Sequence, residues 1–326
     1  MTVLVTGGSG YIGSHVVRLL QQQNVPVVIA DDFVTGEADR VAGVPFVNVD
    51  LASDAAIGIV RDLVREHGVD AVIHFAARKQ VAESVARPAW YYSQNVGSLS
   101  HVLEAIEGSP VRRFVFSSSA AVYGSTVGDA ISEDAPTKPI NPYGATKLVG
   151  EDLLAAAAAA QDIATVSLRY FNVAGAGWPD LGDRAVLNLV PMVFERIDAG
   201  LPPLVFGDDY PTSDGTCVRD YIHVLDLAEA HLAALDYLGT VSSSHLALNV
   251  GTGTGTSVRE LIAEISRVAE YDREPEVAPR RPGDPAAVVA AADQIWDRLG
   301  WSSKLTVADM VQSAWESHLL HRNDLR

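Results

Sequence analysis

Short runs of Val, Ile, Leu and Phe alternate with longer stretches of helical period through the first half of the chain. The β-type runs fall at 2–6, 25–30, 44–47, 71–75, 113–117 and 165–169. Between them, apolar positions recur every three to four residues and predict helices over 10–23, 54–67, 88–107 and 141–161. The β runs are continuously apolar rather than alternating, as expected of strands buried on both faces. Strands alternating with helices predict an α/β fold, a parallel sheet with helices on both sides.

The pattern changes after Asn172. Gly, Pro and Asp become frequent and the elements shorten, although helices are still predicted over 186–199, 224–237, 258–269 and 307–318. This places a soft boundary near residue 175. Residues 1–175 form one predicted domain and 176–326 a smaller mixed α/β domain, some of whose segments pack back on the first. No repeat is visible at periods of about 20–50 residues. The alanine run Ala155–Ala160 reads as plain helix.

Composition narrows the function classes. With 326 residues, 48% of them hydrophobic and 20% charged, the chain can bury a large core and is not a disordered one. The net charge of −17 disfavours nucleic acid and anionic membranes as partners. An anionic ligand would therefore need the few cations gathered at its site. Cys217 is the one cysteine, so no disulfide framework is available. No run approaches the ~20 apolar residues of a membrane span, and the first residues lack a basic flank. A cytoplasmic, soluble protein is expected. No Cys/His cluster has metal spacing, so no metal is expected, and His318 and His321 read as a solvated helix end.

The first β run passes directly into Thr6-Gly7-Gly8-Ser9-Gly10-Tyr11-Ile12-Gly13, which opens a helix. Gly7, Gly10 and Gly13 permit a tight turn, close backbone approach to a pyrophosphate and tight helix packing. The helix N-terminus then offers free N–H groups to phosphate. About 20 residues on, the second run ends in Asp31-Asp32, where an acid meets adenosine ribose hydroxyls and repels a 2′-phosphate. Asp50-Leu51 follows the third run and is placed to meet the adenine. Together these predict NAD on a Rossmann-type doubly wound parallel sheet.

The run at 113–117 leads into Ser117-Ser118-Ser119, at the carboxyl end of a strand where ligands of such sheets lie. Asn141-Pro142 then caps and opens a helix carrying Tyr143 and Lys147 at i, i+4 on one face. With 10 tyrosines and only four lysines, about 0.1 such pairs are expected by chance. Tyrosine, with a pKa near ~10, is a poor base at neutral pH. A lysine cation, an oxidised nicotinamide and the helix N-terminus would each favour its phenolate.

These segments resemble the extended short-chain dehydrogenase/reductase family, and others resemble its UDP-glucose 4-epimerase branch. His74-Phe75-Ala76-Ala77 with Lys79, then Val81-Ala82-Glu83-Ser84, is similar to that branch's cofactor loop. Tyr91, Tyr92 and Asn95-Val96 are similar to its next helix. Arg169-Tyr170-Phe171-Asn172, Asn188-Leu189, Asp208–His223 and Ala278–Asp284 are similar to its substrate-binding stretches. The resemblance covers nearly the whole chain.

The resemblance implies a UDP-hexose 4-epimerase that keeps and recycles NAD. Ser119, Tyr143 and Lys147 would be catalytic, with Tyr143 taking the 4-hydroxyl proton, Ser119 bonding the same oxygen and Lys147 holding the nicotinamide ribose. The cofactor would meet Gly7, Gly10, Tyr11, Ile12, Gly13, Asp31, Asp32, Asp50 and Leu51. It would also meet Phe75, Ala76, Ala77, Lys79, Asn95, Ser117 and Tyr170. The UDP-sugar would meet Lys79, Asn172, Asn188, Leu189, Arg219, Arg281, Asp284 and Val288, besides Ser119 and Tyr143. Charged forks suit a diphosphate. Cys217 stands where many relatives have glycine and reads as packing. Val288 stands where some relatives carry a tyrosine that restricts the sugar, which implies room for an N-acetyl group. A 4,6-dehydratase needs an acid–base pair beside the serine, whereas Ala120 and Ala121 follow here. A non-catalytic NAD sensor would be expected to have lost part of the Ser/Tyr/Lys set. A homodimer through the helices at 88–107 and 141–161 is the family expectation.

Overall fold

The structure, a computed structural model, describes residues 1–125, 130–281 and 283–324. The strands of the first 174 residues are β1 (Val3–Thr6), β2 (Val27–Asp31), β3 (Phe46–Asn48), β4 (Ala71–His74), β5 (Arg113–Ser117), β6 (Ala164–Tyr170) and β7 (Asn172–Ala174). Then come β8 (Leu204–Phe206), β9 (Val218–His223), β10 (Ser244–Val250), β11 (Gly255–Ser257), β12 (Glu276–Ala278) and β13 (Ala287–Val288). The helices are α1 (Tyr11–Gln22), α2 (Ala56–His67), α3 (Val81–Ala86), α4 (Pro88–Tyr92), α5 (Ser98–Ala105) and α6 (Pro142–Gln161). The later ones are α7 (Leu189–Asp198), α8 (Val224–Leu238), α9 (Val258–Val268), α10 (Asp293–Leu299) and α11 (Val307–Asp324).

Seven strands form a parallel sheet in the order β10-β6-β5-β4-β1-β2-β3. The continuous apolar runs explain its two-sided burial. Val3 and Val5 face α1 and α8, packing with Val16, Val17, Leu20, Leu227 and Leu235. Leu4, between them, faces α2, α5 and α6 with Val60, Val64, Leu99, Val102 and Leu154. The chain winds outward from β1 to β3, then returns to the other side of β1 as β4. A crevice therefore opens past the carboxyl ends of β1 and β4, where such sheets bind ligands.

The sheet's seventh strand comes from beyond residue 175. β10 pairs with β6 at the edge, and α8 lies beside α1. The rest of the second half builds a smaller lobe. There β9 pairs with β7, β11 and β13, β8 pairs with β12, and Val190, Phe194, Leu261, Ile262, Ile265, Met310 and Val311 form the core.

Two local readings change. The helix expected over 88–107 is interrupted by a π-helical turn at Ser93–Gly97, between α4 and α5. His318 is not a solvated helix end, because α11 runs on to Asp324. Its ring packs against Phe194 and Trp315 and its Nε2 pairs with Asp198 at 2.8 Å.

Candidate active site

The loop after β1 and the start of α1 form the floor of a cleft of about 710 Å³. Gly7 adopts φ +68°, and a Cβ there would lie 2.7 Å from the Ala76 nitrogen. A Cβ at Gly13 would lie 2.3 Å from the Gly7 carbonyl oxygen. Both positions thus require glycine. At Gly10, a Cβ would meet only the Gly7 oxygen, at 3.3 Å, so the backbone is open toward the cleft. Gly7, Gly10, Tyr11, Ile12 and Gly13 all line it. The Tyr11 hydroxyl donates to the Gly175 carbonyl at 2.6 Å and ties α1 to the second half of the chain.

At one end lie Asp31, Asp32, Asp50 and Leu51. Asp31 is held in place, accepting from the Ser9 nitrogen at 2.9 Å, the Ser9 hydroxyl at 2.7 Å and the Phe33 nitrogen at 2.9 Å. Asp32 pairs with Arg78. Phe75, Ala76, Ala77 and Lys79 line the middle, from the loop that follows β4. A glycine cradle that a Cβ would fill, with carboxylates at the end of β2, fits a dinucleotide.

Asn141 caps α6, its Oδ1 accepting from the Gly144 nitrogen at 2.8 Å, and Pro142 is the helix's first residue. A Cβ at Gly144 would lie 2.4 Å from the Ala121 oxygen. Glycine therefore lets α6 press against the turn that begins at Ser119. The Ser119 hydroxyl caps that turn, accepting from the Ala121 nitrogen at 3.2 Å. Ser117, Ser119, Tyr143, Lys147 and Tyr170 all line the cleft. Lys147 is buried and donates from Nζ to the Ser117 carbonyl at 2.6 Å. The Ser117 hydroxyl and the Tyr170 hydroxyl share a hydrogen bond of 2.7 Å.

Burial sets the protonation states. Desolvation lowers the Lys147 pKa to about 7, against the opposing pull of Glu151. Burial also raises the Tyr143 pKa, against a hydrogen bond from Ser119. The lysine and the helix N-terminus were expected to favour the phenolate. Burial opposes that phenolate, so the proton-accepting form must also draw on the charge of the bound cofactor.

At the other end, Asn172, Asn188, Arg219, Asp284 and Val288 line the cleft. Arg219 Nη2 lies 3.6 Å from Asp284. Asn188 donates to Asp183 at 2.7 Å. Val288 of β13 stands in register with Arg219 of β9.

Three of the expected residues are not brought to the cleft wall. Asn95, in the π turn, is buried and turned to the protein, accepting from the Arg78 nitrogen at 2.7 Å and donating to Thr146 at 3.0 Å. Leu189 begins α7 and packs against the small lobe's core. The exposed Arg281 stacks on Phe206 at 3.9 Å. Its neighbour Pro282 lies outside the described residues. Conversely, Arg78 and Thr35, which no motif singled out, do line the cleft. For Arg78 the one available signal was a second cation beside Lys79.

A family model described as the NAD dependent epimerase/dehydratase family matches residues 3–251. A UDP-glucose 4-epimerase of Azospirillum brasilense is 45% identical over 97% of this chain and 92% of its own. The structure is similar to the UDP-glucose-4-epimerase of Stenotrophomonas maltophila, solved with NAD and formylated UDP-arabinopyranose. The TM-score is 0.91 at 41% identity, covering 99% of both chains. It is also similar to the UDP-Glc/GlcNAc 4-epimerase of Campylobacter jejuni, with a TM-score of 0.84 at 35% identity over 98% of this chain and 99% of that one.

Proposed function

The chain belongs to the NAD-dependent epimerase/dehydratase family, and from that premise we propose that it interconverts UDP-glucose and UDP-galactose at sugar C4 with resident NAD. One observation carries the reading. Ser119, Tyr143 and Lys147 converge in a cleft with a glycine cradle at one end and Arg219, Asn188 and Asp284 at the other.

Bound NAD supplies reversible redox chemistry at C4. The chain's own residues would do the rest. Tyr143 would accept the proton of the sugar 4-hydroxyl and later return it. Ser119 would hydrogen-bond the same oxygen. Lys147, on the same helix face, would hold the nicotinamide ribose and stabilise phenolate charge. Inversion requires the sugar to present its other face between the two proton transfers. The diphosphate must therefore be held firmly while the ring is held loosely. Arg219 supports the firm end, with Asn172 beside it. Arg281 is proposed as the second cation for the diphosphate, although in this arrangement it stacks on Phe206. We assign the dinucleotide to the 1–175 unit, with α8 and β10 completing its layers, and the UDP-sugar to the remainder of 176–326.

Val288 supports a wider substrate range. A valine leaves space at the cleft wall that an aromatic side chain would fill, so UDP-N-acetylhexosamines are proposed substrates as well. The Campylobacter jejuni neighbour, by its name, acts on both sugar types. A homodimer is proposed through the 88–107 segment, which holds α4 and α5, and through α6, supported by the exposed Tyr92 of α4 and Val149 of α6. Cytoplasmic residence is proposed on the single, buried thiol of Cys217.

The test is turnover of UDP-galactose by purified protein with no NAD added. UDP-glucose formed without net NADH supports both epimerisation and a resident cofactor. No product even with NAD supplied would overturn the substrate assignment.

A further inference from the structure

Arg78 is held from several sides. Its main-chain nitrogen donates to Asn95 Oδ1 at 2.7 Å, and its carbonyl accepts from Asn95 Nδ2 at 3.0 Å. Its Nε donates to Gln94 at 3.1 Å, its guanidinium lies 5.6 Å from the Trp90 ring, and its Nη2 pairs with Asp32. Nη1 has no hydrogen-bond partner among the described residues. The pair is mostly buried, with side-chain exposures of 17% for Arg78 and 25% for Asp32.

The location of this pair gives it meaning. Asp32 follows β2 and Arg78 follows β4, on opposite sides of β1 in the sheet. The glycine loop leaves the end of β1 between them, and both side chains line the cleft. The ion pair thus joins the two walls flanking the loop that cradles a pyrophosphate. Alone, Asp32 would repel such an anion. Arg78 cancels that charge and keeps donor capacity for an oxygen of the ligand.

We propose that Arg78, tied to Asp32, is a cofactor-holding residue that clasps the adenosine–pyrophosphate part of NAD and slows its escape. The inference rests on the dinucleotide reading of the cleft. It accounts for how an enzyme that regenerates its cofactor each cycle keeps it between cycles. Asn95 is then a positioning residue that fixes the Arg78 backbone.

The test is the rate of NAD release from NAD-loaded protein, followed by trapping freed NAD with an NAD glycohydrolase. Wild type, R78A, D32A and the double variant are compared. R78A and D32A should each release NAD at least about tenfold faster, as expected for loss of a partly buried charge pair. The double variant should be no faster than R78A, because one pair is lost in each case. UDP binding to the NAD-saturated variants, measured by calorimetry, should match wild type and show that the fold stands. Release as slow as wild type in both single variants would overturn the proposal, as would additive effects in the double variant. A wild type that binds no NAD would instead overturn the dinucleotide reading itself.

Discussion

Lys147 is bonded to Ser117 directly, its Nζ donating to the main-chain carbonyl at 2.6 Å. The bond ties the middle of α6 to the end of β5. Tyr143 precedes Lys147 by one helical turn, and Ser119 follows Ser117 by two residues. This contact therefore helps to set the distance between the two hydroxyl groups, together with the close approach at Gly144. The next turn of α6 adds a second tie, as the Ser118 hydroxyl donates to Glu151 at 2.5 Å and Arg169 pairs with Glu151 at 2.6 Å.

Tyr143→Phe removes the proton acceptor and leaves the ring in place. We expect kcat to fall by about 10²–10⁴-fold, the usual worth of a positioned acid–base group. UDP affinity should hold, because Arg219 and Asp284 lie at the other end of the cleft. Steady-state kinetics with UDP calorimetry separates the two effects. An unchanged kcat would remove Tyr143 from the chemistry.

Gly144→Ala tests the contact between α6 and the Ser119 turn. Alanine ordinarily stabilises a helix interior over glycine by about 1 kcal/mol. Here its Cβ would lie 2.4 Å from the Ala121 oxygen and 3.0 Å from the Ala121 carbonyl carbon, both unyielding backbone atoms. Overpacking should win, with a loss of about 1–3 kcal/mol and a fall in kcat as Ser119 and Tyr143 separate. Gly58→Ala in α2 is the control, since nothing lies within 4 Å of its Cβ. That change should leave kcat untouched and the melting temperature equal or higher. Equal behaviour of the two variants would refute the close-approach argument.

Acid should destabilise the fold through buried histidines. Burial lowers the pKa of His15 and His74 from 6.5 to about 3, and of His223 and His231 to about 4. Above pH 6.5 both folded and unfolded rings are neutral, and these groups contribute no pH dependence. Below it the unfolded rings take up protons while the folded ones do not, so stability falls with pH. Each ring contributes up to about 1.4 kcal/mol per pH unit until its folded value is reached. Urea unfolding across this range should show the decline. A flat profile would mean that the rings protonate within the native state.

Much of the fold is legible in the chain because its signals are local. Continuous apolar runs mark β1 to β6, and the glycine spacing marks the turn after β1. The four-residue spacing of Tyr143 and Lys147 places both on one helix face. What is not legible depends on distant partners. β10 joins the main sheet across 74 residues of chain from β6, counting from Tyr170 to Ser244. β7, β8, β11, β12 and β13 are two or three residues each and exist by pairing, not by propensity. Asn95 faces inward from a π turn that an even helical periodicity does not reveal. The Arg78–Asp32 pair spans 46 positions and leaves no spacing to read.

Val288→Tyr tests the breadth of the sugar site. Val288 lines the cleft and is partly buried, beside Arg219 in the sheet register. An N-acetyl group adds several heavy atoms at the hexose ring, and the cleft must have unfilled volume to admit it. Tyrosine at 288 would occupy volume at that wall without touching Ser119 or Tyr143 in sequence. Wild type should therefore turn over UDP-N-acetylglucosamine as well as UDP-glucose. In V288Y the N-acetylated substrate should lose about 10–200-fold more kcat/KM than the plain one, the scale of steric discrimination in a pocket. The comparison must be made on kcat/KM for both sugars with the same preparation, so that a general loss cancels. Equal losses would show that position 288 acts on stability or on the diphosphate end. A wild type inert toward UDP-N-acetylglucosamine would show that some other wall already closes the pocket.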